Sequence, residues 1–77
     1  MIYAAVIVCG LSGCISFTDN RGPYLTEAAC RARQDEMRPV IAMAAASIGP
    51  HVVRELCGTL DEVRRHIPGA FEGEQTT

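Results

Sequence analysis

Four cysteines and two histidines are the residues whose chemistry could decide what this chain is: Cys9, Cys14, Cys30, Cys57, His51 and His66. A cysteine can serve as nucleophile, metal ligand, lipid acceptor or half of a disulfide. A nucleophile needs a base, and the base needs a group that orients it. Cys57 has His51 near it in sequence, but nothing beside the pair orients the ring or supplies an oxyanion donor. His66 falls near the end of a short helix, where a cation compensates the helix dipole. Zinc is weakly indicated: Cys9 and Cys14 have a possible ligand spacing, but no CxxC pair occurs. No phosphate loop and no readable pair of carboxylates is present. The expectation is a non-enzymatic chain with no catalytic residue, no metal and no cofactor.

Lipid attachment is the third chemistry. Leu11-Ser12-Gly13-Cys14 has the form of a bacterial lipobox, preceded by the apolar run Ile2 to Val8. Against it, only the α-amino group supplies positive charge ahead of that run. The stretch before Cys14 is short, and no polar tether follows. A membrane-spanning helix is a second reading. Met1 to Phe17 is 17 uncharged residues, the lower limit for crossing a bilayer. Gly10, Ser12, Gly13 and Ser16 weaken that helix, and Arg21 is the nearest basic flank.

The third and favoured reading is a β-hairpin. Ile2, Tyr3, Val6, Ile7, Val8, Ile15, Phe17 and Thr18 favour strands, and Gly10-Leu11-Ser12-Gly13 can connect them. Pairing about that turn sets Cys9 opposite Cys14, Val8 opposite Ile15 and Val6 opposite Phe17. One face then collects Ile2, Ala4, Val6, Val8, Ile15 and Phe17. The other carries Tyr3, Ala5, Ile7, Cys9, Cys14, Ser16 and Thr18. This sorting is what a half-buried hairpin requires.

The remaining elements follow from punctuation and period. Asp19-Asn20-Arg21-Gly22-Pro23 is a turn cluster. Thr26 is a helix N-cap, with Glu27 in the first turn and Leu25 placed to staple onto Cys30. Cys30, Met37, Ile41, Ala44 and Ile48 recur at helical spacing as a buried stripe. Arg31, Asp35, Glu36 and Arg38 fall on the wet face, and Glu27 with Arg31 forms an i,i+4 pair. Pro39 removes a helix hydrogen bond, so a kink or a break is expected there. The Ala- and Met-rich surface of Val40 to Ser47 reads as a packing face, with a partner groove as the alternative. Gly49-Pro50 ends the helix. His51 to Cys57 fits either a strand or a helix, with a third strand preferred. Thr59 to Glu62 is a capping box opening a short helix to Ile67, stopped by Pro68-Gly69. The expected organisation is one small domain over 1–68 and a polar, flexible tail over 69–77, with Phe71 a candidate for docking back.

These elements carry the cysteines to defined places. Cys30 to Ala46 spans about 24 Å of helix, and an antiparallel return from Pro50 to Cys57 spans about 23 Å of strand. Cys57 therefore comes back level with Cys30, so Cys30–Cys57 is the natural companion to Cys9–Cys14. A bridge closing so long a loop contributes roughly 3–4 kcal/mol in the chain-entropy account. Four free thiols in a reducing cytosol remain the equal alternative.

Size and charge narrow the rest. The chain has 77 residues, and a domain this small is marginal without disulfides, metal or oligomerisation. Its net charge of −2 argues against nucleic acid as a partner. All seven basic residues are Arg, which reads as codon usage of a GC-rich genome, with Arg-based recognition as the alternative. Charge is segregated, with none on Met1 to Thr18.

The string Cys14-x-x-Phe17-x-Asp19-x-x-Gly22-Pro23-Tyr24-x-Thr26-x-x-x-Cys30-x-x-Arg33-x-x-Glu36-Met37 resembles very short accessory proteins of tailed bacteriophages, particularly phages of marine bacteria. The likeness covers about residues 2–57. It implies a strand, a Cys, a turn, a strand, a capped helix with Cys in its first turn, and a return segment ending in Cys. It carries over no catalytic residue. Pro39 and the segment Thr59 to Ile67 depart from that pattern.

The fold expected is α+β: a small antiparallel sheet, made of the N-terminal hairpin and a return strand, packed on one long central helix, with a short C-terminal helix. The function expected is binding of a protein partner, a host protein or a virion component. Tyr3, Ile7, Tyr24, Arg31 and Arg38, with the sheet edges, are candidate surfaces, and a homo-oligomer is possible. The location implied is the host cytoplasm or the virion. A virion decoration protein and a lipid-anchored or membrane-spanning envelope protein are the alternatives.

Overall fold

A computed structural model describes residues 1–72 of the chain. Strand β1 (Tyr3–Gly10) is followed by β2 (Gly13–Thr18), helix α1 (Glu27–Ala46), strand β3 (His51–Gly58) and helix α2 (Leu60–His66). The strands form one antiparallel sheet in the order β2-β1-β3. The apolar N-terminal segment is thus the sheet's central strand. Among the described residues, no helix is long and apolar enough to cross a membrane.

The hairpin has the register that side-chain alternation predicts: Val6 faces Phe17, Val8 faces Ile15, Cys9 faces Cys14 and Gly10 faces Gly13. Leu11 and Ser12 form the turn. Gly13 takes φ +136°, a conformation that disfavours any side chain there. Just beyond the hairpin, the Asp19 N–H donates to the Ala4 carbonyl at 3.0 Å. Backbone groups of an antiparallel strand point alternately to either side, so Ala4, Val6 and Val8 bond toward β2. Tyr3, Ala5, Ile7 and Cys9 bond toward β3.

Helix α1 covers the face carrying Val6 and Val8, which pack with Met37, Ile41, Ala45 and Phe17. Thr26 caps the helix, its side chain accepting from the Ala29 N–H at 3.1 Å. The buried stripe is Cys30, Gln34, Met37, Ile41 and Ala45, so Gln34 and Ala45 replace the expected Ala44 and Ile48. Leu25 does not staple onto Cys30 but is 85% exposed, because the Cys30 side chain is turned inward to Cys57. Pro39 does not break the helix, which is continuous from Glu27 to Ala46. The residue lies on the exposed side, where water can satisfy the carbonyl left without its helix donor.

The opposite face of the sheet is covered as well, by the C-terminal helix. Thr59 caps α2 with the full capping box, accepting from the Glu62 N–H at 3.3 Å. Leu60 and Val63 pack on Tyr3 and Ala5 together with Ala70, and Leu56, Ile67 and Phe71 complete the cluster. The packed chain therefore reaches past Pro68, where the domain boundary was expected. Ala70 is buried, and the Phe71 ring lies 4.9 Å from that of Tyr3. Arg64 pins this turn by donating to the carbonyls of Ala70 and Phe71, both at 2.9 Å. The rest of the expected flexible tail, residues 73–77, lies outside the described residues.

Candidate functional site

All four cysteine sulfurs are used in two bridges, Cys9–Cys14 and Cys30–Cys57. Cys9 bonds toward β3, so Cys9 and Cys14 form a non-hydrogen-bonded pair between β1 and β2. Facing Cα atoms approach closest at such pairs, and here they are 4.0 Å apart. The bridge therefore locks the closed end of the hairpin. Cys30 and Cys57 join the first turn of α1 to the end of β3, 6.1 Å apart at Cα. With these sulfurs bonded, Cys57 carries no thiol for His51 to activate, and no thiolate is left for zinc.

Two polar clusters hold the frame. Gln34, one turn after Cys30, is buried, and its amide N–H groups donate to Ala5 O at 3.2 Å and Leu56 O at 2.9 Å. Its Oε1 has no partner among the described residues. Asp19 is 4% exposed. It accepts from the Tyr24 hydroxyl, the Arg21 N–H at 3.1 Å and Arg33 Nε at 3.2 Å. Burial works to raise the Asp19 pKa, but the hydrogen bonds from Tyr24, Arg21 and Arg33 and the charge of Arg33 outweigh it. The carboxyl is held below its ordinary value. Burial and the hydrogen bond to anionic Asp19 push the Tyr24 hydroxyl upward. This cluster ties the loop after β2 to α1, and Ile2 and Tyr24 exchange backbone hydrogen bonds of 2.7 Å beside it.

The surface left open lies on the other side of the molecule, along β3. Val52, Arg54, Leu56 and Gly58 stand opposite residues of β1 that bond toward β3. His51, Val53, Glu55 and Cys57 therefore direct their backbone groups outward. No further strand pairs with that edge among the described residues. Val52 is 71% and Val53 45% exposed. Between β3 and α1 runs a groove of about 400 Å³, floored by Val6, Ile41 and Val53 and rimmed by Arg38, His51 and Glu55. Ala42 of α1 lines it beside Ile41. Arg38 closes one side with a two-pronged bond to Glu55, both contacts at 2.8 Å. These hydrogen bonds, opposed by partial burial, lower the Glu55 pKa. His51 Nδ1 lies 2.8 Å from Gly49 O, which fixes the ring at the mouth of the groove.

The residues singled out from sequence are divided between frame and surface. Tyr3 is a correction: it is 8% exposed, beneath Phe71 and α2. Ile7 is half-buried and lines a surface pocket together with Ile15, Ile67 and Pro68. Tyr24 is half-buried and engaged with Asp19. Arg31 is exposed and paired with Glu27 at 2.7 Å. Arg38 alone of the five borders the groove. Sequence reading missed Val53 and Glu55 as surface residues. The signal available was the alternation His51-x-Val53-x-Glu55 in a strand-length run with only two apolar residues before Leu56.

No family model, curated protein or solved structure matches this chain.

Proposed function

We propose that this chain is a small, non-enzymatic phage-type accessory protein that acts by binding another protein through the β3 edge and its groove. The observation that carries the reading is the edge itself. His51, Val53 and Glu55 turn unpaired backbone groups to solvent, flanked by exposed Val52 and by the apolar floor of the groove. Free strand edges recruit an added strand, with backbone bonds giving affinity and adjacent pockets giving specificity. Small proteins usually blunt such edges with charges, prolines or bulges. Here Pro50 precedes the strand, and Arg54 is the one charge on the other face of its exposed half.

The two bridges favour a destination outside a reducing cytosol. That supports the virion reading, a decoration protein present in many copies, over a host-cytoplasmic target. A lipid on Cys14 and the Cys9–Cys14 bridge are mutually exclusive uses of one sulfur, which weighs against the envelope lipoprotein.

The test is site-directed photo-crosslinking in purified particles and in infected cells, with the probe at position 52 and a control probe at position 61 on α2. The expected result is a discrete protein adduct from position 52 and none from position 61. Absence of any adduct from position 52 in both preparations contradicts the reading.

A further inference from the structure

We infer that the occupant of the β3 edge is a second copy of this chain, paired antiparallel so that Val53 faces Val53 of the copy. This rests on the reading of β3 as a binding edge and names its partner. A two-fold axis perpendicular to the sheet joins two β3 strands with equivalent faces together. Each residue then lies opposite one of matching alternation, and the strand must be centred on a residue that faces itself. The charges select the centre. Centring on Arg54 sets two guanidinium groups face to face, and centring on Glu55 does the same with two carboxylates; like charges directly opposite are destabilising. Centring on Val52 puts Arg54 opposite Pro50 and Glu55 opposite Gly49, which shortens the paired stretch.

Centring on Val53 removes each conflict. Val53 meets Val53, and Val52 meets the aliphatic stem of Arg54 from the copy. His51 meets Glu55 of the copy, whose carboxylate holds Arg38 of its own chain, so no like charges stand opposite each other. Because His51, Val53 and Glu55 point their backbone groups outward, this register exchanges bonds at Val53–Val53 and at both His51–Glu55 positions. It uses the half of β3 that the monomer leaves open. It stops at Pro50, which has no N–H to give, and short of Cys57, which the bridge to Cys30 holds under α1. The product is a six-stranded sheet with both α1 helices on one face, and the two grooves join across the seam. Two edges of this length make a small interface, so the dimer is reversible and concentration-dependent.

The experiment is sedimentation velocity of the oxidised full chain over a micromolar-to-millimolar series, with three variants. Val53→Pro removes an outward N–H and leaves the β1 ladder intact. Val52→Lys places a cation opposite Arg54 of the copy, and Val52→Glu places an anion there. The expected result is a monomer–dimer equilibrium abolished by Val53→Pro, weakened by Val52→Lys and tightened roughly three- to tenfold by Val52→Glu. Should Val53→Pro fail to fold by circular dichroism, the opposite responses of the two Val52 variants decide the question. A monomer at every concentration overturns the inference, as does a dimer indifferent to the charge at position 52. A monomer that still gives the position-52 adduct to a different protein overturns the second copy but leaves the binding edge standing. A monomer with no adduct overturns both.

Discussion

Cys57, one residue from the end of β3, is bonded to Cys30 in the first turn of α1, with 6.1 Å between the Cα atoms. The staple closes one end of the α1–β3 layer, and Gln34 bonds across the β1–β3 seam next to it. Among the described residues the other end carries no disulfide bridge between α1 and β3, and there Val52, Val53 and the groove are left to solvent. The same bridge that stabilises the domain thus decides which half of its edge is available.

The two bridges are expected to contribute unequally. Cys30–Cys57 spans 27 residues and Cys9–Cys14 spans 5. The chain-entropy account gives roughly 3.5 kcal/mol for the longer loop and roughly 2 kcal/mol for the shorter. Urea unfolding of Cys30→Ala/Cys57→Ala should therefore show the larger loss, compared with Cys9→Ala/Cys14→Ala. The reverse order would contradict this account of the frame.

Asp19 makes stability depend on acid. Its pKa in the folded chain is lowered from the ordinary 3.8. The stabilisation is therefore fully present above the unfolded value and is lost as pH falls through 3.8 toward the folded value. Asp19→Asn should lower stability at neutral pH by about 1–3 kcal/mol, since the buried donors lose their anionic acceptor. It should also flatten the acid limb of the stability curve. Tyr24→Phe should move the Asp19 carboxyl back toward its ordinary value, read by NMR titration of the side-chain carbon.

Gln34→Glu should be much worse than Gln34→Leu. The Gln34 side chain meets two carbonyl oxygens in a buried site, and a carboxylate there faces acceptors only. Such a group has a raised pKa, so its penalty should be full at neutral pH and shrink as pH falls and it protonates. A loss of roughly 3 kcal/mol or more at neutral pH is expected for Glu. Leu removes the unpartnered Oε1 and should cost much less. Equal losses at pH 7, by thermal or urea unfolding, would contradict this role.

Phe71→Ala should cost about 1–3 kcal/mol through lost packing on Tyr3. Truncation after Pro68 should cost more, because it also removes Ala70 and the carbonyls held by Arg64. A truncated chain as stable as the full one in urea would contradict the docking of this turn.

Much of the fold was legible because two periods could be laid against each other. Alternation in Tyr3 to Thr18 gave the hairpin register, and matching the rise of helix and strand brought Cys57 level with Cys30. Capping chemistry at Thr26 and Thr59 marked both helix starts. The second covered face was not legible. Leu60, Val63 and Ile67 show a short amphipathic helix, but which sheet face it covers depends on the path of the chain after Gly58. Tyr3 and Ile7 therefore looked free. Gln34 was hidden by its polarity, although it stands one turn from Cys30 on the stripe. Asp19, Tyr24 and Arg33 meet only when the turn after β2 folds back on α1, a contact no spacing announces. Sheet edges were legible as candidate surfaces, but His51 to Cys57 fitted either a strand or a helix, and the open half of β3 depends on where Cys30 pins it.

The most direct test of the central claim, a domain framed by Cys9–Cys14 and Cys30–Cys57, is the intact mass after alkylation without reduction, followed by peptide mapping. The account predicts an unalkylated full-length chain whose linked peptides join Cys9 to Cys14 and Cys30 to Cys57. Four alkylated thiols, or a chain beginning at an acylated Cys14, would contradict it.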